Sequence, residues 1–125
     1  MMNIYFVIAA VLSHFALVLH FFMGGKEVAR PLLRSNELSK TCQFTNYYCW
    51  HLVTISLALI AAVFSLHLYS PLSTDLILAV STLMLLYGLW SLVMIVVHRL
   101  NPLQFGQWTV LVPIGVLGFC GVYLG

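Results

Sequence analysis

The sequence predicts an all-α membrane protein, an up-down bundle of four transmembrane helices with both termini outside. Three observations carry that expectation. Hydrophobic residues make up 62% of the 125-residue chain and charged residues only 6%, against roughly a quarter charged in ordinary soluble domains. Apolar stretches near 3–23, 47–69, 74–98 and 105–124 are each long enough for a hydrocarbon layer about 30 Å thick, at ~1.5 Å per residue. Lys26, Arg30, Arg34 and Lys40 all follow the first stretch, and Arg99 follows the third. Every basic side chain thus belongs to one face, which the positive-inside rule makes cytoplasmic. Segments of alternating polarity, as in an outer-membrane barrel, are absent, so the spans read as helices.

The elements follow in order within one domain, 1–125. The first stretch has no basic lead-in and no small-x-small cleavage site, so it is expected to stay as an anchor. Residues 24–46 read as a cytoplasmic loop in which Ser35 could cap a short helix through Glu37 and Leu38, resting on anionic headgroups. The second span opens on Tyr47-Tyr48-Cys49-Trp50, the composition of an interfacial aromatic belt. A short hairpin, Ser70-Pro71-Leu72-Ser73, leads to the third span, and short links force antiparallel neighbours. The fourth span carries Gly115, Gly118, Gly121 and Gly125, a small-residue face for close helix packing, either inside the bundle or against a partner. Pro113 interrupts that helix's hydrogen bonding. The three cysteines, Cys42, Cys49 and Cys120, suggest neither a disulfide framework nor a zinc knuckle.

Five histidines are the main source of chemistry in so apolar a chain, because polar groups within a bilayer are costly. The expected topology puts His20, His51 and His98 at one depth, near the cytoplasmic ends of three helices. At ~100° per residue, Ala9, Ser13, Ala16 and Gly24 share the face of His20. By the same spacing Thr54, Ala58, Ala62 and Ser65 share that of His51. Such small or weakly polar stripes are expected to face other helices. Gln107, in phase with the glycines, would join the group. Imidazoles suit transition metals and haem iron, so His20, His51 and His98, with Gln107 beside them, are the candidate ligands of a metal ion or a single haem b. Glu27 or Glu37 could complete a metal site. The bland alternative is an interfacial role for all three rings. His14 lies near the midplane, where a hydrogen bond to Tyr87 could tie two helices together, and His67 reads as an outer-interface residue.

No Asp, Glu, Lys or Arg lies deep within a span, which argues against ion-coupled transport. The few carboxylates also argue against di-iron chemistry. No phosphate-binding glycine loop, nucleophile elbow or HExxH motif is present, so no catalytic residue is assigned and enzymatic activity is left open. The function expected from sequence is a small integral membrane protein, of a bacterial inner membrane or its equivalent, with a cytoplasmic-side metal or haem b site. The alternatives are an accessory or assembly subunit docking through span four, as a homo-oligomer or in a larger complex, and an oligomeric solute channel. The lipid bilayer is the expected partner, and no nucleic acid is.

Overall fold

A computed structural model describes residues 2–125 and is all-helical. Its four main helices are α1 (Ile4–Arg34), α2 (Lys40–Tyr69), α3 (Thr74–His98) and α4 (Trp108–Tyr123). The first three are long and apolar enough to cross a membrane. α4 is apolar but has only 16 residues, about 24 Å at the α-helical rise.

Side-chain caps set most helix starts. Asn3 accepts a hydrogen bond from the Tyr5 N–H at 3.0 Å, Ser39 from Cys42 at 3.2 Å, and Ser73 from Leu76 at 3.3 Å. α3 ends where Arg99 turns left-handed (φ 52°) and the Leu100 N–H reaches back to the Ile95 carbonyl at 3.0 Å, a Schellman-type stop. Trp108 Nε1 donates to the Pro102 carbonyl at 3.2 Å and pins the link into α4.

Two expectations about 24–46 need correction. The segment is mostly helix: α1 continues to Arg34 and α2 begins at Lys40. Ser35 caps no helix, because its hydroxyl accepts from the Glu37 N–H in a bend, and Ser39 starts the next helix instead. Within α1, His20–Ala29 is π-helical, and the Arg30 N–H donates to Gly25, five residues back. Pro31 follows at once and offers a reason for the widening. Its ring would crowd the carbonyl four residues back in a regular α-helix.

α1 packs along α2 and α4, and α4 packs along α3. All these neighbours are antiparallel, since Asn3 Nδ2 donates to the Gly121 carbonyl at 2.8 Å, Phe6 meets Phe64, and Gly88 meets Val112. α2 and α3 touch least, and the backbones of α1 and α3, like those of α2 and α4, stay apart. Every Lys and Arg therefore lies at one end of the molecule, called the basic end below.

The interior is built of knobs in glycine holes. Gly115, Gly118 and Gly121 are buried within the chain's own fold. A Cβ on Gly118 would overlap Ser81 Oγ and lie 3.2 Å from Phe64, and one on Gly121 would overlap the Phe6 ring. Ala9, Ser13 and Ala16 are buried on α1 as their spacing implied. On α2 the stripe is reversed at its alanines: Leu57, Ile60, Ala61 and Phe64 face in, while Ala58 and Ala62 are exposed and Thr54 and Ser65 are half-buried. α4 and α1 supply the small surfaces, so α2 supplies the bulk that fills them.

His67 closes the α2–α3 hairpin. Its Nδ1 accepts the Leu72 N–H at 3.0 Å, and the ring meets Phe6 edge-on at 4.5 Å. Phenylalanine at 67 keeps the ring but leaves that N–H unpaired, at a cost of about 1 kcal/mol. His67→Phe should therefore melt a few degrees below wild type in detergent, and His67→Asn, which retains an acceptor, should lose less. Equal melting of all three would show that this bond does not hold the turn.

Candidate functional site

The polar chemistry of the basic end gathers where the π-helical part of α1 meets the start of α2. His20 stands on the buried face of α1, in line with Ser13 and Ala16. Its Nε2 lies 2.9 Å from Thr54 Oγ1 and 3.3 Å from the Trp50 carbonyl. A carbonyl can only accept, so both contacts are satisfied when Nε2–H donates. The ring also stacks on Trp50, with centroids 4.6 Å apart and planes 21° from parallel.

Trp50 is the centre of an aromatic ladder. Tyr47, one turn earlier on α2, lies parallel to it at 6.1 Å. His51 sits edge-on to both, 4.5 Å from Tyr47 and 4.9 Å from Trp50. Phe21 of α1 reaches Trp50 at 6.4 Å. The indole lies against Gly24 and Gly25, where an added Cβ would come within 3.6 and 3.9 Å of it.

Beside this ladder is an open pocket of about 300 Å³, lined on α1 by Phe21, Phe22, Lys26 and Arg30 among others, and on α2 by Tyr47, Trp50 and His51. No Asp or Glu lines it. His51 faces this pocket because it shares the outward phase of Ala58 on α2.

The floor of the site depends on Gln43, which the sequence reading passed over. This side chain is 1% exposed. Its amide donates to the carbonyls of Leu32 (3.0 Å), Leu33 (3.2 Å) and Ser35 (2.6 Å). These carbonyls lie at and just past the end of α1, which has no glycine stop, and that of Leu32 also accepts the Ser35 N–H at 3.3 Å. Gln43 therefore fixes the angle at which α2 leaves α1. The available signal was an amide one turn after Ser39, which the sequence does not distinguish from the nearby exposed Asn46.

The expected histidine group does not assemble as a trio. His20 and His51 flank Trp50, but His98 is exposed at the end of α3, which does not pack on α1. Gln107 is exposed at the start of α4, makes no capping bond with its side chain, and does not line the pocket. Among the described residues no three His, Cys, Asp or Glu side chains are grouped to hold a metal ion. His14 does not meet Tyr87, because α1 and α3 lie diagonally. Its Nδ1 pairs instead with the Ala10 carbonyl at 2.9 Å. Gly125, the last of the glycine series, lies against Asn3.

Compared with known protein families, curated proteins and solved structures, the chain shows no match.

Proposed function

We propose that this is a four-span membrane protein, its basic end cytoplasmic and both termini outside, that holds an amphipathic ligand at the membrane interface between α1 and α2. The observation that carries this reading is the aromatic-walled pocket beside Trp50. A volume of about 300 Å³ is at the lower end of small-ligand sites, and apolar walls with a few placed polar groups are their usual form. Its position supports the same reading: exposed apolar Phe21 and Phe22 adjoin it on one side, and Lys26 and Arg30 on the other. A molecule with an apolar body and a polar head fits that gradient. The five basic residues collected at one end support the orientation.

Metal or haem b binding by His20, His51 and His98 has less support in this geometry, because Nε2 of His20 is engaged with Thr54 and His98 stands apart. An accessory role through span four has less support as well, since the glycine face is filled by Phe6, Phe64 and Ser81 of the same chain.

Native mass spectrometry of protein extracted in mild detergent tests the reading. Wild type should retain an adduct of lipid mass, and Trp50→Ala should release it while keeping its helical circular dichroism. Wild type emerging bare at the lowest activation energy that removes detergent would refute it.

A further inference from the structure

We infer that the ligand's head is a net-anionic phosphate, held between Lys26 and Arg30 on α1 and the Tyr47–Trp50–His51 wall of α2. This deepens the preceding reading and rests on it. Lys26 and Arg30 are four residues apart on one flank of the helix, and both line the pocket. With no carboxylate in its lining, their charges are uncompensated within the cleft. Glu27, the nearest acid in sequence, is exposed and lies outside the lining.

An arginine beside a lysine suits phosphate in particular. The guanidinium presents a planar fork to two oxygens, and the ammonium adds a compact charge. Tyr47 and His51 can each add a hydrogen bond through a hydroxyl or ring nitrogen, since neither has another partner among the described side chains. The walls at Phe21, Phe22 and Trp50 receive whatever apolar body follows the head. Arg34 and Lys40 belong to the same basic end but do not line the pocket, so they separate a specific clamp from general attraction to an anionic surface. A phosphate head of this kind could belong to a membrane lipid or to a phosphate ester in solution.

The experiment compares three proteins, each in mild detergent: wild type, Lys26→Gln/Arg30→Gln, and Arg34→Gln/Lys40→Gln, the last two carrying the same change in net charge. Each is offered equimolar phosphatidylglycerol, phosphatidylcholine and diacylglycerol, and the bound fractions are read by native mass spectrometry. At roughly fivefold per cation near an anionic headgroup, wild type should prefer phosphatidylglycerol over phosphatidylcholine by about 25-fold. The Lys26/Arg30 variant should lose that preference, and the Arg34/Lys40 variant should keep most of it. A second arm titrates glycerol 3-phosphate. Displacement of bound phosphatidylglycerol only at high concentrations assigns the head to a lipid. Tight binding of glycerol 3-phosphate, with no lipid retained, assigns it to a soluble ester and overturns the amphipathic reading while keeping the clamp. Either result supports the clamp when the Lys26/Arg30 variant abolishes it. Equal preference in all three proteins, or equal loss in both variants, overturns the phosphate assignment while leaving the pocket intact. Failure of wild type to retain any of the four probes overturns the pocket with it.

Discussion

Gly118→Leu should prevent the four helices from closing. At this position even a Cβ would overlap Ser81 Oγ, and it would lie 2.9 Å from Ser81 Cβ and 3.2 Å from the Phe64 ring. Ser81 cannot swing aside without cost, because its hydroxyl donates to the Ile77 carbonyl at 2.6 Å and its side chain is fully buried. Phe64, at 0% exposure, has no free volume to move into. Overpacking a filled core costs about 1–3 kcal/mol for modest insertions, and leucine adds three further carbons to a position that rejects one. The variant should yield aggregated or detergent-unstable protein, and Gly118→Ala should melt well below wild type. Ser81→Gly combined with Gly118→Ala should recover part of the loss, because it removes the atoms in conflict. A Gly118→Leu protein that melts like wild type, with only an oligomer lost, would place the glycine face on the outside and restore docking through span four.

Removal of the Gln43 amide should have the next largest effect, confined to the basic end. The side chain serves three carbonyls at the end of α1. Gln43→Leu keeps the bulk and leaves those acceptors facing an apolar residue, at about 1–3 kcal/mol. Gln43→Glu is the sharper test, since it preserves shape and replaces the donor with a carboxylate that repels the same oxygens. Both variants should accelerate hydrogen exchange across residues 30–43, by roughly ten- to a hundredfold at 1.4 kcal/mol per decade. The α3–α4 contact should exchange as before. Uniform acceleration throughout the chain would mean that Gln43 supports the whole fold rather than the α1–α2 junction.

What the sequence disclosed and what it hid have a common cause. Apolar periodicity and length gave α3 at Thr74–His98 without error, because Ser73 and the polar residues after His98 coincide with the ends of the apolar run. α1 overruns its apolar run by about three turns and α2 by about two, since hydropathy marks where lipid is tolerated, not where helical hydrogen bonding stops. Ser39 and Gln43 settle those ends through particular contacts. Helical phase placed Ala9, Ser13 and Ala16 correctly, but the rule that small residues face inward fails at Ala58 and Ala62 on α2, where Leu57, Ile60 and Phe64 fill holes left by other helices. That reversal turned His51 outward. Depth along the axis put His14 level with Tyr87, and it put three histidines at one level. Depth carries no information about lateral order, and the order α2–α1–α4–α3 keeps α1 and α3 apart. Only His20 and His51, on adjacent helices, came together.

The central claim is that the cleft beside Trp50 holds an amphiphile at a defined site. A variant with Trp90 and Trp108 replaced by phenylalanine leaves Trp50 as the sole indole. Reconstituted in phosphatidylcholine vesicles containing increasing phosphatidylglycerol with brominated acyl chains, its fluorescence reports occupancy of the pocket directly. Quenching that saturates at a low mole fraction of the brominated lipid is the predicted result. Quenching that rises only in proportion to that fraction, as for a residue facing randomly mixed lipid, would contradict it.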